Sequence, residues 1–333
     1  MKQTIAITGS AGYIGSNLTD ELLKRDYTVI GIDNLSMGLR GNFEHLAGNS
    51  RFTFHDVDVR NAALLAHACR GADAIIHLAA YKIPRYGGAI DTVQVNAKGA
   101  EHVLEIAREQ GSKVLLASTS DVYGKNPKLP FNEDGDSVIG PSTVRRWSYA
   151  VSKLYTEHLG LAYMEAHKVP VTILRFFGSY GPREHRSWWG GPQSIFIERF
   201  LKREPVEIHG DGRQTRSFTY IDDTVAGIVA ALESERAAGE VFNIGSTAEI
   251  AILDLARLIY RLMDGKGEPP LTIVPYAQLG KYEDVQRRIP DLSKSKELLG
   301  FVPRWKLEDG LRPTIAWHRG VAARETQKAA AVC

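Results

Sequence analysis

The sequence predicts a doubly wound α/β protein on a parallel sheet, with a smaller mixed α/β lobe at its C-terminal end. Three observations carry this. Short, nearly continuous apolar runs rich in β-branched residues alternate with amphipathic stretches through the first half of the chain, as in a sheet covered on both faces. The first run passes through a glycine cluster into a helical stretch. After Gly178 the regular alternation stops, and Gly, Pro, Trp and Arg crowd residues 181–192. Taken in order, strands are expected at Thr4–Thr8, Thr28–Asp33, Phe52–His55, Ala74–Leu78, Lys113–Ser118 and Val171–Phe176, with helices at Ile14–Arg25, Ala62–Cys69, Val93–Glu109 and Tyr149–Ala166. The pattern divides the chain into a first lobe over 1–177, a smaller lobe over 178–320, and an Ala-rich tail over 321–333 that is expected to fray.

Composition narrows the function classes. With 333 residues, 44% of them hydrophobic and 24% charged, the chain is not of disordered, collagen-like or coiled-coil type, and its length suits two lobes. A formal net charge of +2 offers no footprint for nucleic acid. Two cysteines, Cys69 and Cys333, are too few for a disulfide framework and fit a reducing compartment. A strand pattern entered by Thr4 leaves no room for a signal peptide, and no apolar run approaches the roughly 20 residues of a membrane span. A cytoplasmic protein is expected. Ten scattered histidines, with no pair at ligand spacing on a helix, predict no metal site. His77 closes an apolar strand and reads as core or as a residue just behind the site, and no nucleophile-elbow context supports a Ser/His/Asp hydrolase.

The glycine cluster is Gly9-Ser10-Ala11-Gly12-Tyr13-Ile14-Gly15. Glycines between a strand and a helix let the backbone turn tightly and approach a pyrophosphate at the helix N-terminus. The second strand ends at Asp33, whose carboxylate suits a ribose 2′-hydroxyl and repels a 2′-phosphate. NAD is therefore predicted over NADP in a Rossmann-type fold, with Arg40 the one nearby residue of opposite tendency. Asp58, after the third strand, is either an adenine contact or an exposed loop acid.

Tyr149 and Lys153 stand one helical turn apart, so they share a face. The fifth strand ends in Ser118-Thr119-Ser120-Asp121, at the carboxyl edge of the sheet where α/β folds bind ligands. A hydroxyl there and a Tyr–Lys pair on the next helix can meet over a nicotinamide, with the lysine's charge favouring the tyrosinate as general base.

These motifs together resemble an extended short-chain dehydrogenase/reductase, and within that group the nucleotide-sugar epimerase, dehydratase and decarboxylase family. The resemblance runs over essentially the whole chain, through Asp33-Asn34-Leu35-Ser36, His77-Leu78-Ala79-Ala80, Asn96, Gly210-Asp211-Gly212 and Arg216-Ser217-Phe218. It implies NAD contacts at Gly9, Gly12, Tyr13, Ile14, Gly15, Asp33, Asn34, Ser36, Asp58, Val59, Leu78, Ala79, Ala80, Lys82 and Asn96, as well as at Tyr149 and Lys153. It also implies that Thr119 binds the sugar O4, that Tyr149 takes its proton, that Lys153 holds the cofactor ribose, and that Arg216 meets the nucleotide diphosphate of a UDP-linked sugar. Lys82, Gly178, Arg186 and Arg288 complete the expected substrate residues. In this family hydride usually returns to the sugar, so NAD is not consumed, and the proteins commonly dimerise through the helices here spanning about 93–109 and 149–166.

A transient 4-keto sugar has three exits: reduction on the other face, elimination across C5–C6, or loss of carbon dioxide when C6 is a carboxylate. Ser120 followed by Asp121 is similar to decarboxylases of UDP-glucuronate and to some dehydratases, with Asp in place of their Glu. Arg288, with Arg287 as the adjacent candidate, lies in Tyr282–Arg288 followed by Pro290-Asp291, which resembles the decarboxylase segment that faces the sugar carboxylate. Decarboxylation leads, 4-epimerisation of a UDP-sugar is the alternative, and 4,6-dehydration is third. Scaffold or NAD-sensing proteins of this fold tend to lose the Tyr/Lys pair that this chain keeps. Gly178 stands where relatives carry Asn. The Trp188-Trp189 pair reads as a stacking surface or as lobe packing, and Arg145-Arg146-Trp147, directly before the catalytic helix, as an exposed basic loop ahead of the alternative that it meets an anionic sugar group.

Overall fold

The computed structural model describes residues 3–82, 88–187, 189–279 and 283–332, the side chains from 328 onward excepted. Six strands, β1 (Thr4–Thr8), β2 (Thr28–Asp33), β3 (Phe52–Asp56), β4 (Ala74–His77), β5 (Lys113–Thr119) and β6 (Val171–Phe176), follow the predicted positions. A seventh, Val241–Ile244, pairs with β6, so the sheet runs from that strand through β6, β5, β4, β1 and β2 to β3. Every pairing in it is parallel. Helices α1 (Tyr13–Lys24), α2 (Ala62–Ala68), α3 (Ala89–Gln110) and α4 (Trp147–His167) make the crossovers in the first half. Two apolar cores result. Ala6, Val103, Leu116 and Ile173 lie on one side of the sheet. On the other, Ile7, Leu18 and Leu22 join Ile197, Val225 and Phe242 from beyond Gly178.

The C-terminal half thus feeds the same sheet and core as the first. It adds α5 (Pro192–Leu201), α6 (Ile221–Glu233), α7 (Ile252–Leu262), α8 (Ser293–Leu299) and α9 (Leu307–Val332). Proline at the first turn of α5, after Gly191, fits a position whose N–H has no helical acceptor. The predicted frayed tail is instead the last stretch of α9. Its Ala, Arg, Glu, Gln and Lys residues are strong helix formers that extend an already nucleated helix. Among the described residues no helix is long and apolar enough to cross a membrane.

A small three-stranded sheet shapes the ligand side. Thr215–Ser217 pairs antiparallel with Glu249–Ala251 and parallel with Arg287–Arg288, in a register that sets Arg216 opposite Arg288.

One buried ion pair locks β6 to α4. Arg175 contacts Glu157 through Nε at 3.0 Å and Nη2 at 2.7 Å, and Glu157 also accepts from the Ser118 hydroxyl. Substituting Glu157→Gln leaves Arg175 charged, buried and short of a counter-ion. That is expected to cost about 3–5 kcal/mol of stability, measured by denaturant unfolding; a loss below about 1 kcal/mol would contradict this reading.

Candidate active site

Two hollows open along the carboxyl edge of the sheet. The larger, of about 740 Å³, runs from the glycine loop past Asp33 and Asp58 to Tyr149 and Lys153. The smaller, of about 300 Å³, is lined by Asp121, Arg146, Arg216, Asp284 and Arg288 among others. Lys82, Asp121, Tyr149, Gly178, Pro192 and Arg288 line both, which puts the junction of the hollows at the Tyr149 hydroxyl.

The larger hollow has the chemistry of a dinucleotide site. Gly15 must lack a side chain, since a Cβ there would lie 2.2 Å from the Gly9 carbonyl oxygen. Gly9 has φ +76° and packs against the Ala79 backbone. No side chain caps the N-terminus of α1, so its first N–H groups are left for an anion. Asp33 accepts from the N–H of Ala11 at 3.1 Å and of Leu35 at 2.8 Å. These bonds tie the glycine loop to the end of β2 and oppose the burial that raises the Asp33 carboxyl above its ordinary value. Gly12, Tyr13, Ile14, Asn34, Ser36, Val59, Leu78, Ala79 and Ala80 line the same hollow. Asn96 acts behind it, bonding the N–H and C=O of Tyr81 and the Ser152 hydroxyl.

Asp58 is held by Arg60 at 2.7 Å and Asn34 at 3.0 Å; the Arg60 bond leads in pulling its carboxyl down to about 2. Arg60 itself lines the hollow, a cation that motif reading passed over. Arg40 turns away to Asp56, at 3.4 Å. Asp33 lines the hollow as the acid expected at the ribose, so Asp33→Ser is expected to shift the ratio of NAD to NADP affinity at least about tenfold towards NADP. Cofactor titration checks this, and an unchanged ratio would remove Asp33 from the ribose contact.

At the junction, Thr119 ends β5 and its hydroxyl accepts from the Asp121 N–H at 3.2 Å, capping the short turn Ser120–Tyr123. The Thr119 hydroxyl in turn lies 3.4 Å from Asp121 Oδ2, which leaves Oδ1 of the carboxylate for two cations. Arg288 Nη2 meets its Oδ1 at 2.8 Å and Arg146 Nη2 meets the same oxygen at 3.2 Å. Burial would raise the Asp121 carboxyl, but the two guanidiniums outweigh it and hold it well below the carboxylate range. Arg288 also lies 3.4 Å from the buried Ser120 hydroxyl. Its Nε is buried with no hydrogen-bond partner among the described residues. Arg287 points to the other side of its strand and pairs with Glu249 at 2.7 Å.

The Tyr149 hydroxyl lies beside Thr119, whose influence lowers its pKa. Burial and then the Asp121 charge raise it above the ordinary phenol value, against that influence. Lys153 is buried, donates to the Ala117 carbonyl at 2.8 Å, and is brought down to about 8 by burial, with Glu157 opposing. In the protein alone burial and the Asp121 charge dominate Tyr149, and the expected support of the lysine's charge for the tyrosinate acts against them.

Arg216 Nη2 bonds Asp284 at 2.7 Å, and Asp284 also accepts from Tyr276 at 3.0 Å and lies 3.5 Å from Arg146. Arg146, expected on an exposed basic loop, is thus half of the cluster that holds Asp121. Its signal in the sequence was position, one helical turn before Tyr149. Arg186 is the reverse case. Glu198 holds it through two bonds at 2.7 and 2.8 Å, and Glu325 takes the rest of its guanidinium at 2.5 Å. It lines neither hollow, so the structure does not place it against substrate. Gly178 forms floor to both hollows; a Cβ there would meet the Ser217 carbonyl oxygen at 2.9 Å and the Phe218 ring at 3.0 Å. Trp189 meets Tyr81 edge-on at 4.7 Å beside the cofactor hollow. Trp188 and Tyr282 lie outside the described residues.

A parallel sheet with a glycine-loop dinucleotide hollow, and a Thr–Tyr–Lys set where it meets a cationic pocket, defines an NAD-dependent enzyme that works on a hydroxyl-bearing substrate. The chain belongs to the NAD dependent epimerase/dehydratase family, whose model matches residues 5–245. A UDP-N-acetyl-alpha-D-glucosaminuronate decarboxylase of Bacillus cytotoxicus is 36% identical over 96% of this chain and 99% of its own. UDP-glucuronic acid decarboxylase 1 of Xenopus tropicalis is also 36% identical, over 96% of this chain and 72% of its own. Among solved structures, a Bacillus cereus UDP-glucuronic acid 4-epimerase in complex with UDP-glucuronic acid and NAD superposes with a TM-score of 0.85 at 32% identity, covering 96% of this chain and 99% of that one. A UDP-glucose 4-epimerase of Thermotoga maritima with UDP-glucose gives 0.86 at 29%, covering 96% and 99%. NAD is the cofactor of this family, and the glycine loop and Asp33 fit it.

Proposed function

We propose that this enzyme oxidises a UDP-linked uronic acid at C4 and releases the C6 carboxylate as carbon dioxide. The observation that carries the reading is the Asp121 carboxylate gripped by Arg146 and Arg288 at the junction of the hollows. Two guanidiniums there, one with an unused buried N–H, suit a second carboxylate arriving on the substrate. Arg216, at the same small sheet, is the diphosphate ligand in this reading.

The chain's own groups account for the steps. Thr119 and Tyr149 bind O4, and Tyr149 removes its proton. Bound NAD supplies the hydride acceptor. Once C4 is a ketone the substrate is a β-keto acid, and loss of carbon dioxide drives an electron pair through C5 onto O4. Thr119 and Tyr149 donate to that oxygen, where the charge develops; the enolate then takes a proton at C5, and C4 takes its hydride back as Tyr149 returns the proton to O4. Arg288 and Arg146 orient the C6 carboxylate until the bond breaks. The relatives named as decarboxylases support this exit. The state of Asp121 disfavours 4,6-dehydration, because a doubly paired, firmly ionised carboxylate is a weak base for a C5 proton.

Mass spectrometry on enzyme incubated with UDP-linked hexoses and uronates tests the reading. Loss of carbon dioxide from a uronate is expected. An unchanged mass with a new epimer makes it a 4-epimerase, and loss of water a dehydratase. In the same reading the enzyme is a cytoplasmic homodimer joined through α3 and α4, whose Ile90, Val93, Val151 and Tyr155 are exposed. Light scattering is expected to give twice the chain mass, and a monomer would refute the dimer.

A further inference from the structure

One buried chain of polar groups leads from the protein surface to the cofactor hollow and has no part in the sugar chemistry above. Glu184 lines that hollow and is only 3% exposed. Its Oε2 accepts from the Ser194 hydroxyl at 3.0 Å. The same hydroxyl lies 3.4 Å from His318 Nε2, and His318 Nδ1 lies 2.6 Å from Glu198 Oε1. Ser194 and Glu198 stand one turn apart on α5, and His318 comes from α9. Arg186 anchors Glu198 and carries the chain out to the exposed Glu325. The order serine, histidine, glutamate resembles a nucleophile triad, but Ser194 is wholly buried and its hydroxyl is committed to Glu184.

The geometry allows two arrangements with the same number of protons. Burial would raise Glu198, but His318 and Arg186 outweigh it and bring its carboxyl down to about 2, so it acts as acceptor and His318 Nδ1 keeps its proton. In the first arrangement Nε2 is also protonated and donates to Ser194, whose hydroxyl donates to an ionised Glu184. In the second, the Nε2 proton has passed to Ser194 Oγ and the original hydroxyl proton to Glu184 Oε2. His318 is then neutral and Glu184 uncharged. Burial pushes Glu184 up to about 7, against Lys82 and the Ser194 bond, which makes its protonated form accessible. The other titratable groups acting here are Tyr13, which feels the Glu184 charge, and His185, which feels Lys82. Arg183 beside them is paired with Asp20 at 2.7 Å.

We propose that Glu184, Ser194, His318 and Glu198 form an internal proton relay that lets the carboxyl facing the cofactor hollow change charge without exchanging a proton with solvent. It thereby sets the balance between the cationic nicotinamide ring of NAD⁺ and the uncharged dihydronicotinamide ring of NADH. Glu184 ionised favours the cationic form, and Glu184 protonated through Ser194 favours the neutral one. These are positioning residues, and the proposal rests on NAD binding and not on which reaction follows.

The test is a binding measurement on the full-length protein, by NADH fluorescence titration with NAD⁺ as competitor. Glu184→Gln removes the charge with little change of shape. It is expected to weaken NAD⁺ relative to NADH by about tenfold or more, the order expected for a unit charge facing a partly desolvated site. The wild-type affinity ratio is expected to stay flat between about pH 6 and 8, because the relay's proton is internal. Ser194→Ala breaks the relay, so Glu184 titrates against solvent and preference for NAD⁺ rises with pH across that range. An unchanged ratio in Glu184→Gln overturns the proposal, as does a wild-type profile matching that of Ser194→Ala. If Glu184→Gln binds neither cofactor, the comparison of Ser194→Ala with wild type decides. The readout is binding alone, so a failed decarboxylation assay leaves it untouched.

Discussion

Tyr149→Phe is expected to lower turnover by about 10²- to 10⁴-fold, the usual contribution of a positioned acid–base group, while NAD remains bound. The ring stays and only the hydroxyl beside Thr119 is lost, so the fold and the cofactor hollow are preserved. The pH profile should carry the pocket's signature. Burial and the Asp121 charge hold the phenol above its ordinary value, so the rate rises with pH as the tyrosinate becomes accessible. Lys153, brought down to about 8, loses its positive charge above that pH, and the support it gives the tyrosinate disappears with it. A maximum in kcat near that pH is therefore expected in the wild type. Turnover by Tyr149→Phe within about tenfold of wild type would remove Tyr149 from the role of base. Retained NAD, read from the absorbance released on denaturation, separates this outcome from misfolding.

Asp121→Asn is expected to cost about 30- to 160-fold in kcat, the rate equivalent of losing about 2–3 kcal/mol of hydrogen bonding to charged groups. Asparagine preserves the shape but no longer anchors two cations. Arg146 and Arg288 would then repel each other across the junction and lose their common orientation. The mechanism also fixes what should not change. Because the guanidiniums keep Asp121 ionised far below neutrality, it contributes no inflection to the rate profile near neutral pH, and the profile of the variant should match wild type in shape. Disappearance of an acid-side limb in Asp121→Asn would instead identify it as a general base, and would move the reading towards dehydration.

The sheet was legible because a strand buried on both faces writes itself as an apolar run, as β1 and β6 do. The glycine loop and Asp33 were legible because a phosphate site constrains sequence locally. The Thr119, Tyr149 and Lys153 set emerged from placement at the carboxyl edge. What escaped is mostly charge pairing between distant segments. Asp121 meets Arg288 across 167 positions (288 minus 121), and no local pattern records that. Arg186 read as a substrate residue because Glu198 and Glu325 stand on helices whose packing brings them to it only in three dimensions. The seventh strand, Val241–Ile244, is short and sits after an irregular stretch, so periodicity alone did not assign it to the main sheet. The tail read as fraying because it is a terminus, whereas helix propensity and the preceding turns carry it on.

Gly178 has a consequence for altering this enzyme's substrate range. The floor it forms is main chain, with the Ser217 carbonyl and the Phe218 ring within 3.0 Å of where a Cβ would stand. A side chain cannot be introduced there by a single exchange unless residues 217–218 retreat. Those residues follow directly on Arg216, whose strand is also registered to Arg288. Remodelling the cavity at 178 therefore drags both arginines with it, so directed evolution of specificity has to sample 178, 216–218 and 288 as one library. Point-by-point scanning of the floor would return mostly dead clones and miss the concerted solutions.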